Sequence, residues 1–381
     1  MVRLIRLGKS MHWVAAKFRV DPSTVWLWVH RAQGQRLDRA EFSDRKPGRA
    51  WNRTTAELEQ RIIEQRRVLR ESVLGEHGAR AIRGALQAAL AQASPSVATI
   101  NRVLSRHGLQ DGVRRVRRPA PPKGWYLPQV AAGTAELDAF DFIEDLKIAE
   151  GPLLQVLTAK SLHAALTDAW VLLKRSARDT VPCVQARWQH DGLPAYAQFD
   201  NDTVFQGAHQ FPDTVGRVSR LCLALGVIPV FVPPLEHGMQ NLIEGFNALW
   251  QAKVWQRYRV GSAAELQQRS QAYIAAHRAR TADAPAAPRR PMPKHFALDL
   301  HAPPRGQMIF IRRTDETGHA HLLGRRFAIS PDWPHRLVRC EVDFDHHCIR
   351  CFALRRHAPA EQPLLATIHY ERTNKPFQGE P

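Results

Sequence analysis

At 381 residues and 43.2 kDa the chain exceeds one ordinary domain, and about two to four domains are expected. Its 44% hydrophobic content is enough for packed cores. No run of about eighteen apolar residues suggests a membrane-spanning helix, and the basic segment 1–9 lacks the apolar centre and cleavage pattern of a secretory signal, so the cytoplasm is the expected location. The net charge of +18 is uneven, since residues 1–130 hold 25 Lys and Arg against 10 Asp and Glu. A basic excess so concentrated points to a polyanionic partner.

Residues 10–32 read as two short helices around a tight turn. Met11, Val14, Ala15 and Phe18 follow helical spacing, and Arg19-Val20 makes the turn. Asp21 is placed to cap the second helix and Pro22 to open it. Val25, Trp28 and Val29 form the buried stripe, which leaves Ser23, Thr24, Trp26, Leu27 and His30 pointing outward. The pattern is that of a helix-turn-helix, whose second helix enters the DNA major groove. It recurs over 54–110. An amphipathic helix over 55–73 is broken by Gly75 and Gly78, a second spans 79–91, Ser94-Pro95 repeats the cap-plus-proline signal, and Val97, Ile100, Val103 and Leu104 form another stripe before Gly108. Residues 43–53 link the two units.

A second linker, 111–133, carries Arg114, Arg115, Arg117, Arg118 and Lys123 among prolines. It suits an extended path along DNA phosphate, or a solvated spacer. From Thr134 the pattern changes to strands near 137–143, 152–158, 164–171, 195–199 and 227–232, the last made less certain by Pro229. Helices fall near 177–191, 213–225, 238–257 and 262–280. This predicts a mixed five-stranded sheet with helices on its faces. Residues 282–293 read as a Pro/Ala/Arg linker, and the short alternating runs of 306–372 predict a small β-barrel.

Three carboxylates interrupt or end these apolar elements. Asp141 lies in the run 137–143, Asp200 ends the run 195–199, and Glu244 follows 227–232 and a Pro233-Pro234 break. A carboxylate in such a place costs desolvation energy unless something compensates it, and divalent cations would do so while serving phosphodiester chemistry. Asp138 competes with Asp141. The two are three apart, so on a strand they face opposite sides; the Phe140-Asp141-Phe142 context and Asp145 favour Asp141. Among the five cysteines, the run His346-His347-Cys348-Ile349-Arg350-Cys351 has a spacing that could hold zinc, but its alternating surroundings favour plain strand cysteines. An odd count in a chain of this kind argues against a disulfide framework.

Three strands, a helix and a strand ending in an acid, with Leu193-Pro194 before Phe199-Asp200-Asn201-Asp202, and Val232-Pro233-Pro234 leading to Gln240 and Glu244-Gly245-Phe246-Asn247, resemble the DDE transposases of bacterial insertion sequences, in the retroviral-integrase-core (ribonuclease-H-like) superfamily. The resemblance covers essentially the whole chain. It implies tandem helix-turn-helix domains (1–42 and 54–110), the basic linker 111–133, an integrase catalytic core (134–281) and a C-terminal β-barrel (306–372). It implies that Asp141, Asp200 and Glu244 are the catalytic and metal ligands for two magnesium (or manganese) ions, which serve strand hydrolysis and then strand transfer with no covalent protein intermediate. The family usually has Asn-Gly after the second acid, where Asn201-Asp202 stands, and a basic residue two turns after the last acid, where Gln251 stands and Lys253 is the candidate substitute.

Gln240 and Asn247 share a helical face with Glu244, so they either border the DNA backbone or are ordinary polar surface. The expected DNA contacts are thus Ser23, Thr24, Trp26, His30, the four linker arginines, Gln240, Asn247 and Lys253. Expected partners are duplex DNA, as element ends and target, and at least one further copy of the chain, with no membrane. The active protein would associate with the bacterial nucleoid when bound. The alternative is a catalytically degenerate or domesticated transposase that retains only DNA binding.

Overall fold

The protein is described by a computed structural model covering residues 1–40, 54–89, 94–110, 123–148, 151–208, 211–233, 236, 238–373 and 377. The chain divides into two compact units, Met1–Ile62 and Ile63–Pro381.

In the first unit, α1 (Val2–Arg6), α2 (Met11–Phe18) and α3 (Pro22–Arg31) enclose a small core. Val14, Ala15 and Val25 are buried, with Met1, Leu4, Ile5, Val20 and Val29 packed around them. Local chemistry sets the boundaries. Ser10 caps α2 by accepting from the Trp13 amide, and Asp21 caps α3 by accepting from Ser23. Arg19 takes a left-handed conformation (φ 51°) that turns the chain between the helices. The Arg6 guanidinium donates to the carbonyls of Ala32 and Gln35, both at 2.7 Å, and so satisfies acceptors left open beyond the end of α3.

Helix α4 (Ala56–Glu71) begins before and ends after the division. In the second unit, α5 (Ala79–Ala89) and α6 (Val97–Arg106) bury Ile82 and Leu86 against Ile100, Val103 and Leu104. The cap of α6 is Ser96, which accepts from the Thr99 amide, and not Ser94. Pro95 precedes the helix instead of opening it, and the serine beyond it has the spacing to cap. Behind α4 the chain turns at Gly75 (φ 57°), where a side chain would meet Arg257 and Lys253.

After α7 (Pro128–Ala131) the sheet begins. Its strands are β1 (Leu137–Lys147), β2 (Leu153–Ser161), β3 (Thr167–Leu172), β4 (Tyr196–Phe199), β5 (Ile228–Phe231), β6 (Gln307–Arg313), β9 (Leu337–Asp343), β10 (Cys348–Ala353) and β11 (Leu364–His369), in the spatial order β11-β10-β9-β6-β5-β4-β1-β2-β3. Strands β1, β4, β5 and β6 run parallel to their neighbours in this set; β1–β2, β2–β3, β6–β9, β9–β10 and β10–β11 are antiparallel. A separate hairpin pairs β7 (His319–Leu322) with β8 (Arg325–Ala328).

Period-two alternation divides β1 between two cores. Phe140 and Phe142 join Trp188 of α8 (Ala177–Asp191) and Val218 and Leu221 of α10 (Arg217–Ala224) on one face. Ala139 and Ile143 join Ile243, Phe246 and Trp250 of α11 (Asn241–Trp250) and Tyr273 of α12 (Ala263–Arg280) on the other. Between β4 and α10 lies the short α9 (Thr203–Gln206), and α11 runs on into a π-helical turn, Gln251–Trp255.

Two expectations fail here. The C-terminal strands do not close into a separate small barrel, and the sheet is wider than five strands. β6 pairs parallel with β5, Val230 with Ile309 and Phe231 with Phe310. The reason lies in its two faces. Met308 and Phe310 enter one core, Ile309 and Ile311 the other, so β6 has the pattern of a central strand buried on both sides. A ladder of rings fixes the join, running Phe140–Phe199–Phe231–Phe310 with centroid spacings of 5.3, 5.9 and 5.3 Å. Pro229 is tolerated because β6 reaches β5 only from Val230 onward. Residues 282–293 are likewise no free linker. Arg289 donates to the buried Asp138, and Arg290 exchanges backbone hydrogen bonds with Leu193.

Candidate functional site

The sheet register brings the first two acids together. β1 and β4 pair in parallel through Leu137–Tyr196, Asp138–Ala197 and Ala139–Gln198. Carried two residues further, this register sets Asp141 beside Asp200, both on the face that α11 covers. Asp141 also pairs in register with Thr158 of β2. From α11, the Asn247 amide donates to Asp141 Oδ2 at 2.8 Å and its Oδ1 accepts from the Thr158 hydroxyl at 2.6 Å. Glu244, in the first turn of α11 and exposed, lies one turn before Asn247 on the same helical face.

The electrostatics set this cluster apart. Burial pushes the Asp141 carboxyl up to about 7, helped by the neighbouring charges of Asp200, Glu244 and Glu144. Asp200 is also raised, chiefly by burial, against the opposing hydrogen bond from the Asp202 amide at 3.0 Å. The cation beside these acids is Arg175, which pairs with Glu144 and, at 2.7 Å, with Asp202. No motif singled out Glu144, Arg175 or Thr158. Their only sequence signal is position: Glu144 follows Asp141 on β1, and Arg175 precedes the Ser176 cap of α8.

The turn after Asp200 is built by Asn201 and Asp202. The Asn201 amide donates to the Val232 carbonyl at 2.6 Å and accepts from Arg312 at 2.8 Å, which ties the turn to the end of β5 and to β6. Asp202 caps α9.

Asp138 lies on the opposite face, as alternation requires. It is fully buried and accepts from Arg187, Arg289, Ser161 and Trp188. Burial would raise its carboxyl, but the charges and hydrogen bonds of Arg187 and Arg289 hold it far below the ordinary range. Asp145 sits at the β1 bulge with φ 54° and accepts from Gln155 at 3.2 Å.

The expected DNA contacts divide. On α3, Ser23, Trp26 and His30 are exposed and Thr24 is half-buried; the Trp26 and His30 rings stack at 4.9 Å. Arg114, Arg115, Arg117 and Arg118 lie outside the described residues. Gln240 occupies the cap position of α11, half-buried. Asn247 is only 7% exposed and its amide is taken up by Asp141 and Thr158, so it orients an acid instead of reaching a phosphate. Lys253 donates to the Gly75 carbonyl at 3.0 Å, beside Arg257, which donates to carbonyls at the end of α4; there it fixes a helix corner.

Zinc finds no support at the Cys/His run. Cys340 and Cys351 are buried cross-strand partners with sulfurs 3.6 Å apart, and His346 pairs with Asp343 at 3.0 Å. Among the described residues, no group of three or more His, Cys, Asp or Glu side chains is assembled to hold a metal. Magnesium needs less than that, because it binds through one or two carboxylates and keeps several waters. The Asp141–Asp200 pair fits that demand: the donors are hard oxygens, and their crowded negative charge is the kind a cation neutralises. Among the described residues no helix is long and apolar enough to cross a membrane.

No family model matches the chain, and no curated protein does. Solved structures are similar to parts of it. The catalytic core of BIV integrase is 15% identical with a TM-score of 0.28, over 37% of this chain and 81% of that one. A chain of the simian T-cell lymphotropic virus intasome in complex with PP2A regulatory subunit B56 gamma is 10% identical at 0.35, over 68% and 87%. The HTLV-2 integrase catalytic core in complex with magnesium is 10% identical at 0.27, over 40% and 85%. Likeness at this level leaves the chemistry to be read from the chain's own residues.

Proposed function

We propose that the protein is a DDE-type DNA transposase that binds the ends of a mobile element and catalyses metal-dependent phosphodiester hydrolysis and strand transfer. The observation that carries this reading is the state of Asp141. Burial and the charges of Asp200 and Glu244, which arrive from separate elements, push its carboxyl up to about 7, so near neutral pH the site is relieved either by a proton or by a bound cation, and the β1–β4 register sets Asp200 beside it to share that cation.

In this reading Asp141, Asp200 and Glu244 would hold magnesium (or manganese), two ions per site, and the ions would supply Lewis-acid activation of water or a 3′-hydroxyl and charge stabilisation of the leaving oxygen. Asn247 donates directly to the Asp141 carboxylate and is itself oriented by the Thr158 hydroxyl, which donates to its side-chain oxygen. Arg175 bridges Glu144 and Asp202 beside the acids, and Asn201 fixes the turn that carries Asp200. The exposed row Ser23, Trp26 and His30 on α3 suits a recognition helix, and the basic N-terminal third supplies phosphate contacts. Joining two DNA ends needs at least two protomers, so a complex on paired ends should be a dimer or larger. Such a protein works in the cytoplasm, on the nucleoid.

The second reading, a DNA-binding protein without catalysis, draws on the exposure of Glu244 and on the lack of a preassembled three-acid cluster among the described residues. One experiment separates the two. Wild type and Asp200→Asn are incubated with magnesium and duplexes bearing the repeats that flank the gene. Nicked and joined products from wild type alone support the enzyme. Equal binding by both with no product from either supports the second reading.

A further inference from the structure

Away from the acids, a cleft of about 450 Å³ opens between Glu236 and the C-terminal strands. Its walls carry Arg313, Arg336, Arg355 and Arg356, with His335 and a Trp333 floor. The Arg336 and Arg355 guanidiniums lie over the Trp333 ring at 4.6 and 5.4 Å. Planar guanidiniums held against an aromatic face lose little freedom on binding and are weakly hydrated, which suits them to phosphate.

Among the described residues, one acid lines the cleft. Glu236, between β5 and α11, takes both Arg313 and Arg356, the latter at 3.2 Å, with its side chain 13% exposed. Arg355 pairs with Glu361 at 3.1 Å, and among the described residues Arg336 makes no ion pair and stacks on Trp333. Two arginines closing on one carboxylate is the geometry by which proteins grip a phosphate.

We propose that this cleft binds the phosphodiester backbone of duplex DNA, and that Glu236 is its built-in competitor, an internal anion that an incoming phosphate displaces from Arg313 and Arg356. The choice of DNA rests on the function proposed above; the site itself rests on the four arginines and the single acid among them. Glu236 then sets how tightly the cleft holds DNA, and limits binding to polyanions able to outcompete it.

The test uses the full chain with a fluorescein-labelled duplex of arbitrary sequence, in EDTA, with anisotropy read across a salt series. Glu236→Gln should tighten binding by about tenfold or more, the worth of one charge-assisted hydrogen bond. Arg336→Gln with Arg355→Gln should weaken binding and reduce the slope of log K against log salt by about two. Arg336→Lys with Arg355→Lys should recover most of that slope, which separates lost charge from lost packing on Trp333. An unchanged or weaker affinity in Glu236→Gln, or an unchanged slope in the double Gln variant, overturns the proposal. Magnesium-dependent cleavage of flanking-repeat duplexes is measured beside it. Cleavage by wild type with no effect of the cleft variants sinks the cleft alone. The expected binding changes without cleavage sink the enzyme alone.

Discussion

Strand β1 carries two aspartates three residues apart whose charges meet opposite surroundings. On one face, Asp138 sits in a closed network with Arg187 and Arg289, and Arg187 and Arg278 extend it to Asp168 and Asp191. Three acids meet three arginines there, and the network ties β1 and β3 to α8, α12 and the segment after α12. On the other face, Asp141 meets Asp200 and Glu244 with a neutral amide as its direct partner. Burial alone therefore does not distinguish a structural acid from a functional one. What distinguishes them is whether the fold supplies the opposite charge or leaves it to be supplied from outside.

The contrast is broken most strongly by neutralising each acid in turn and measuring stability by denaturant unfolding in EDTA. Asp138→Leu leaves Arg187 buried with part of its compensation gone, and should cost about 3–5 kcal/mol. Asp141→Asn removes a charge that burial and its neighbours already disfavour. At pH 8 it should leave stability unchanged or raise it. Equal losses at the two positions would mean that both acids belong to the scaffold.

A smaller effect sharpens the functional half. Asn247→Ala removes the amide that orients Asp141 and leaves every proposed metal ligand in place. Outer-shell partners of this kind typically matter by about 10- to 100-fold, so wild-type-like DNA affinity with product formation reduced by that factor is expected. Loss of DNA affinity instead would return Asn247 to the phosphate-contact role that its helical spacing first suggested.

The position of Asn247 shows where sequence stops being informative. The strands and the α8 helix are legible because period two and period 3.6 leave a direct imprint on apolar spacing. Alternation also separates Asp138 from Asp141 correctly. It cannot say which face receives arginines, because Arg289 arrives from 151 residues away. Likewise Asn247 shares a face with Glu244 by spacing alone, but whether that face meets solvent or β1 is decided by how α11 lies across the sheet. The alternating runs after residue 306 announce strands, yet pairing of β6 with β5 depends on complementary rings on separate elements, which no local pattern encodes. Lys253 reads from sequence as a DNA contact, because its acceptor, the Gly75 carbonyl, lies far off in sequence.

A third titratable group on the α11 side completes the comparison. His277 of α12 is 4% exposed, edge-on to Phe246 at 5.8 Å, with Thr167 as its polar neighbour at 3.3 Å. Burial, with the charges of Lys160 and Arg280 facing it, lowers its pKa from 6.5 to about 4. Like Asp141 it is held neutral by burial and by like charge, but no ligand is expected to complete it. The unfolded chain takes up the proton first as pH falls, so the contribution of His277 is fully present above about 6.5 and is lost progressively down to about 4. The slope it adds cannot exceed ~1.4 kcal/mol per pH unit. Comparing unfolding of wild type and His277→Gln across that window isolates the term, because every other titrating group is common to both. The two curves should converge as the pH is lowered; parallel curves would mean that the imidazole is protonated in the folded protein, with its charge offset by a group that now lies elsewhere.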